Sequence, residues 1–92
     1  MTHVHLRGRL ICHSASHAAI VTAHLPRHIE LTRAEPGCLS FTVEPTEDPR
    51  VWSVDEVFLD AAAFQKHQER ARTSEWGLAT AHIERDYVVH GL

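Results

Sequence analysis

Cys38-Leu39-Ser40-Phe41-Thr42-Val43-Glu44, Pro45-Thr46-Glu47-Asp48-Pro49-Arg50 and Val51-Trp52-Ser53-Val54-Asp55-Glu56-Val57-Phe58-Leu59 follow one another in mid-chain, and this stretch decides the fold. In the first segment Leu39, Phe41 and Val43 alternate with Ser40, Thr42 and Glu44, the period of a strand with one buried face. In the third, Trp52, Val54, Glu56 and Phe58 share a side. The polar segment between them carries two prolines, which cannot continue a ladder, so it reads as a turn. The pair is predicted to form an antiparallel hairpin with a long loop.

Working outward, each arm of the hairpin meets a helical pattern. Upstream, Ser14 or Ser16 offers an N-cap, and Ala15, Ala18, Ala19, Ile20, Ala23 and Leu25 form a broad apolar stripe. Pro26 lacks an N–H and clashes with the preceding turn, so a kink or restart is predicted there. Helical spacing continues through Ile29 and Thr32, with Glu30 and Arg33 as a surface pair, until Glu35-Pro36-Gly37 stops it. Downstream, Asp60 caps a helix running to about Thr73, and 74–81 is a short irregular or helical piece around Trp76.

The ends of the chain read as strands. Val4, Leu6, Leu10 and Cys12 alternate with His5, Arg7 and Arg9, with Ile11 as the exception; Gly8, on the apolar side, leaves room for a close approach. Residues 83–90 place Ile83, Tyr87 and Val89 on one face, and Gly91-Leu92 is a tail. The order β-α-β-β-α-β is the split βαβ, ferredoxin-like α+β arrangement with a four-stranded antiparallel sheet. Two helices cover only one face of such a sheet. On the other, Ile11, Val57, Leu59 and Val88 lie among polar positions, which predicts a homodimer through sheet-to-sheet packing.

Composition narrows the function. Ninety-two residues without repeat, linker or low-complexity segment read as one domain, 1–92. A net charge of −3 lacks the clustered cations of a phosphate-driven nucleic-acid binder. No apolar run approaches the ~20 residues that span a bilayer, and Met1-Thr2-His3-Val4-His5 does not open a signal peptide, so no membrane association and a cytoplasmic protein are expected. Cys12 and Cys38 form no CxxC and read as reduced and structural.

Leu31-Thr32-Arg33-Ala34-Glu35-Pro36-Gly37-Cys38-Leu39-Ser40-Phe41 resembles the helix-to-strand junction of antibiotic biosynthesis monooxygenase domains, an "EPG" followed by a small, an aliphatic and an aromatic residue. Asp55-Glu56-Val57-Phe58-Leu59-Asp60 followed by Ala62-Ala63-Phe64-Gln65-Lys66-His67 is similar to the family's strand-helix segment, a Glu-containing strand leading to "AF..H". The resemblance covers nearly the whole chain. It implies a dimeric α+β barrel of two face-to-face sheets, with a pocket between sheet and helices in each subunit. It also implies chemistry without metal or flavin on electron-rich phenols or quinols. Haem-degrading relatives carry an Asn on the first strand, where this chain has His3, His5, Arg7 and Arg9, so no cofactor is expected.

His67 is the candidate catalytic residue. It shares a helix face with Phe64 and Ala71, among the solvated Gln65, Lys66, Glu69, Arg70 and Arg72. A pocket histidine there takes a phenolic proton or hydrogen-bonds the substrate; the competing reading is a satisfied histidine packed on the sheet. Phe41, Trp52, Trp76 and Tyr87 are candidate pocket walls for a small aromatic substrate, against the alternative of core packing. Arg7, on a strand face with His5 and Arg9, is a candidate for orienting a phenolate, or else pairs with Asp55, Glu84 or Asp86. Asp55 and Glu56 point to opposite faces and are not an acid/base pair; Glu56 reads as structural with a minor chance of a pocket role.

His3/His5, His13/His17 and His24/His28 have the spacing of two-ligand pairs but lack further ligands, so no metal is expected. The leading expectation is a cofactor-independent monooxygenase acting on an aromatic hydroxy compound or quinol. The alternatives are a non-catalytic dimer that binds a small molecule and a structural or regulatory dimer whose histidines respond to pH.

Overall fold

The computed structural model describes residues 2–92. Met1, with which the predicted domain and the reading of the N-terminus begin, lies outside the described residues. The elements are β1 (Val4–Ile11), α1 (Ala15–Arg33), β2 (Cys38–Pro45), β3 (Val51–Phe58), α2 (Ala61–Thr73), α3 (Glu75–Ala79) and β4 (Glu84–His90). The four strands form one sheet in the order β2-β3-β1-β4, antiparallel throughout. The ferredoxin-like α+β expectation is therefore met.

Local chemistry places the ends. The β2–β3 turn is held by Thr46, whose backbone N–H and hydroxyl both donate to the Val51 carbonyl, and by Asp48, whose carboxylate accepts from Arg50 N–H. Ser14, not Ser16, caps α1 by accepting from His17 N–H at 3.1 Å, and Asp60 caps α2 by accepting from Ala63 N–H at 2.8 Å.

Three details differ from expectation. First, α1 continues through Pro26 as one helix and does not restart there. The missing N–H falls on an exposed face where water can satisfy the Thr22 carbonyl, while burial of Val21, Leu25, His28 and Thr32 anchors both halves. Second, Leu39 is not on the core face. The β2–β3 register shifts between Cys38 and Ser40, which turns Leu39 out to 49% exposure and packs Cys38 against the core instead. Third, Arg33 does not pair with Glu30. It donates from Nε and Nη2 to the Phe41 carbonyl, and Glu30 binds Arg27.

The helices cover one face of the sheet. Val4, Leu6, Leu10, Val54, Phe58, Val21, Leu25, Phe64 and Ile83 form the core there with Trp52 and Trp76. Burial of apolar surface at about 25 cal/mol per Å² is what holds helices to sheet. The open face carries exposed ion pairs, His5–Asp55 at 2.9 Å, Arg7–Asp55 at 3.7 Å and Arg9–Asp86 at 2.8 Å, which stabilise little in water. Between them lie Val88, 56% exposed, Leu59, and the half-buried Ile11 and Val57. Cys12 and Cys38 are free thiols. Among the described residues no helix is long and apolar enough to cross a membrane.

Two glycines mark close approaches. At Gly37 a Cβ would lie 2.3 Å from Ala63 Cβ, so the turn after α1 seats directly on α2. At Gly8 a Cβ would lie 2.0 Å from the Asp86 carbonyl oxygen and 2.8 Å from Tyr87 Cα, both backbone atoms of the neighbouring strand. Gly8→Ala must push β4 away from β1. It is expected to cost about 3 kcal/mol and to lower the melting temperature by more than ~10 °C in a thermal unfolding scan.

Candidate functional site

The covered face of the sheet is apolar at β1 but not at its neighbours. Glu56 on β3 lies across from Leu6 on β1 and Phe41 on β2, so its side chain rises under the helices, and it is 6% exposed. Above it α2 turns Phe64 and His67 inward, while α1 contributes His28 and Thr32. On the other flank β4 brings Arg85 and Tyr87 to the same side, opposite Leu10 and Gly8.

His67 is 3% exposed and held through Nδ1. Nδ1 lies 3.0 Å from Glu35 Oε1, and Arg70 Nε donates to Glu35 Oε2. A carboxylate only accepts, so the Nδ1 carries the proton and the lone pair resides on Nε2. That nitrogen is turned towards Glu56, 3.8 Å from Oε1. Burial pushes the His67 imidazole below its ordinary pKa despite the opposing pull of Glu35, which keeps it neutral and basic at pH 7.

Two further groups are held uncharged. Burial first, then the nearby Glu35 carboxylate, raises Glu56 to about 8, with Arg85 acting the other way; Glu56 is a carboxylic acid at neutral pH. His28 is stacked on Trp76, centroids 4.8 Å apart and planes 7° apart, with Phe41 edge-on at 5.4 Å. Burial, reinforced by His67, Arg70 and Arg85, lowers His28 to about 3. Burial likewise raises the Tyr87 phenol above its usual range. Glu56 Oε1 and His28 Nδ1 are buried without a hydrogen-bond partner, an arrangement that costs free energy unless something else meets them.

These groups surround a cavity of about 640 Å³ lined by His28, Glu56, His67, Trp76, Arg85 and Tyr87, with Leu6, Ala71 and Leu78 as apolar wall and Gln68 and Arg72 towards the outside. That size and mix, apolar walls with a few convergent polar groups, are those of a small-molecule site. The Trp76–His28 stack also borders a second, smaller hollow of about 310 Å³ that reaches His24 and Arg27. Arg85 is occupied structurally, donating to the carbonyls of Thr80 and Ile83 and to the Thr80 hydroxyl.

Of the residues proposed from the sequence, His67, Trp76 and Tyr87 come together on this cavity. Phe41 packs behind its wall, against His28 and His67. Trp52 is part of the core four residues, about 13 Å, along β3 from Glu56. Arg7 lies on the opposite face of the sheet, beside Asp55, because a one-residue offset from Leu6 reverses the side chain. Sequence reasoning missed His28 and Glu35. His28 had a signal: Val21, Leu25, His28 and Thr32 follow i, i+4, i+7, i+11, the inward stripe of α1. Glu35 had none beyond its place before Pro36-Gly37. In the His13/His17 pair the contact is from the His13 backbone N–H, ahead of α1, to His17 Nδ1 at 3.4 Å, and among the described residues no three His, Cys, Asp or Glu side chains gather as a metal site would need.

With this fold and cavity in place, the family follows. Residues 11–76, well over half of the chain, match antibiotic biosynthesis monooxygenase, and the chain belongs to that family. Among solved structures it is similar to Rv0793 from Mycobacterium tuberculosis, with 21% identity over 99% of this chain and 95% of that one at a TM-score of 0.76. SnoaB, a cofactor-independent oxygenase from Streptomyces nogalater, is 15% identical over 100% and 94% of the two chains at a TM-score of 0.74. MupZ from Pseudomonas fluorescens is 23% identical, covering 99% of this chain and 70% of its own, at a TM-score of 0.80. At these identities the likeness concerns the fold. No curated protein matches the chain.

The buried groups set a pH dependence of stability. Glu56 goes from an ordinary 4.5 unfolded to about 8 folded, so its contribution is complete below 4.5 and is lost as pH rises through 8. His28 goes from 6.5 to about 3, so its neutral form costs nothing above 6.5 and costs stability increasingly below it. Between 4.5 and 6.5 the slopes of His28 and of the likewise lowered His67 oppose that of Glu56; from 6.5 to 8 only Glu56 acts, at about 1.4 kcal/mol per pH unit. The wild-type melting temperature is expected to fall over that upper window, by roughly 10 °C, and Glu56→Gln to stay flat there.

Proposed function

We propose that this protein is a cofactor-independent monooxygenase that oxidises a small aromatic hydroxy compound, anthrone or quinol with O₂. The observation that carries the reading is the buried His67, with Nδ1 bound to Glu35 and Nε2 on the side of a cavity of about 640 Å³. Membership of the antibiotic biosynthesis monooxygenase family supports the reaction class.

For an anthrone the steps balance simply. His67 Nε2 removes a proton from the activated CH₂, and the electron-rich anion reduces O₂ and bonds to it. The resulting hydroperoxide loses water as the proton returns from His67, leaving a C=O: CH₂ plus O₂ gives C=O plus H₂O. The substrate supplies all four electrons. Glu35 holds the imidazole in the basic tautomer and balances the cation formed on proton uptake, as a carboxylate beside a catalytic histidine does. Trp76, Tyr87 and Leu6 exclude water and hold the ring.

Oxygen consumption with a panel of anthrones and dihydroxynaphthalenes tests this. His67→Ala is expected to lower the rate by at least ~100-fold while retaining binding. Binding by the wild type without oxygen consumption rejects the oxygenase in favour of a non-catalytic binding protein.

The partner follows from the open sheet face. Val88, Leu59, Val57 and Ile11 are apolar and incompletely buried, and a second copy packed sheet to sheet would cover them, giving a C₂ homodimer. Sedimentation of the wild type as a dimer, and of Val88→Asp as a monomer with unchanged far-UV circular dichroism, is the expected outcome; a wild-type monomer at micromolar concentration rejects it.

A further inference from the structure

His67 accounts for one side of the cavity's polar wall. Glu56 faces it from the sheet and does no work in the oxygenase steps above. Its Oε1 is buried without a partner, and the 3.8 Å to His67 Nε2 is too long for a hydrogen bond. Yet the two atoms are close enough for a single hydroxyl oxygen to sit about 2.8 Å from each, accepting from the Glu56 carboxyl and donating to the Nε2 lone pair.

We propose that Glu56 is a ligand-binding residue, its carboxyl group donating a hydrogen bond to a hydroxyl oxygen seated between Glu56 and His67 while that hydroxyl donates its own hydrogen to His67 Nε2, so that the cavity takes ligands presenting an uncharged hydroxyl on an aromatic frame. The proposal rests on the cavity holding a ligand, as in the oxygenase reading, but not on oxygen being consumed there.

The surroundings explain why the carboxyl donates. From β4, Arg85 is committed to Thr80 and Ile83 and Tyr87 stays protonated. From the α1–β2 turn, Glu35 is a second carboxylate that opposes ionisation, and Asp55 on the same strand adds to it. From α1 and α2, His28 and His67 are neutral, and Arg70 is bound to Glu35. No cation is therefore committed to Glu56, and its proton is retained up to about pH 8. A buried donor with no acceptor rewards a ligand that brings one.

The test uses 1-tetralol, an aromatic alcohol with nothing to titrate in this range, and calorimetric affinities of the full chain at pH 6.5 and 9.0. With Glu56 at about 8, roughly a tenth of the protein is in the donating form at pH 9.0, so wild-type affinity is expected to fall about tenfold. Glu56→Gln, whose amide N–H donates at any pH, is expected to bind within about threefold of wild type at pH 6.5 and to lose nothing at pH 9.0. Glu56→Ala is expected to bind about tenfold more weakly at pH 6.5. Wild-type affinity that is the same at both pH values, a pH loss in Glu56→Gln equal to that of wild type, or no binding of 1-tetralol each overturns the proposal. Should Glu56→Ala not fold, the wild-type and Glu56→Gln comparison decides by itself. Tetralol binding of the expected pH dependence without oxygen consumption from any anthrone upholds the role of Glu56 and rejects the oxygenase.

Discussion

Glu35 accepts from His67 Nδ1 and from Arg70 Nε, and Arg70 in turn donates to the Thr32 hydroxyl. These bonds join the end of α1, the turn into β2 and the middle of α2 at one point. The Glu35 side chain retains some exposure while that of His67 has almost none, so the carboxylate is paired where its desolvation is incomplete and the imidazole is buried where its charge is not needed. Gly37, two residues on, lets the same turn rest on Ala63. The distance of α2 from the sheet, and hence the height of His67 above Glu56, depends on this junction.

The two faces of the sheet treat polar groups in opposite ways. On the open face Arg7, Arg9, His5, Asp55 and Asp86 form ion pairs in solvent, where charge is cheap and pairing contributes little. On the covered face Glu56, His28, His67 and Tyr87 are all held in neutral forms by burial. A small domain has few large side chains to spare, and apolar residues of similar volume at Glu56 and His28 would pack more cheaply. Retaining a partnerless acid and a partnerless imidazole beside a cavity is the pattern expected where neutral proton donors and acceptors are used on a ligand.

The fold was legible because each element carried its own periodicity and its own stop. Alternation in 38–44 and 51–59, the Asp60 cap and the Glu35-Pro36-Gly37 stop are local signals, and Gly8 announced the close approach of a neighbour. Leu39 failed because a bulge is one extra residue that leaves the local pattern unchanged. The restart at Pro26 does not occur because a proline removes one bond, whereas packing on both sides of it decides whether the helix continues. The site was legible only in part. His67 and Trp76 stood out as an inward histidine and an aromatic in a short irregular piece, and both line the cavity. Trp52 and Arg7 were plausible by type, but one lies along the strand from the cavity and the other beyond the sheet.

The sequence by itself determined the strand and helix order, the inward face of most elements and the family, since these depend on neighbours within a few residues. Only the tertiary structure decided what His67 meets. Glu35 lies 32 residues before it and Glu56 lies on the central part of the sheet, and no spacing rule relates them. The packing of α1 against β2 and of α2 against β3, with the sheet in the order β2-β3-β1-β4, brings these groups together. Burial, a property of that assembly and not of any segment, then sets their protonation.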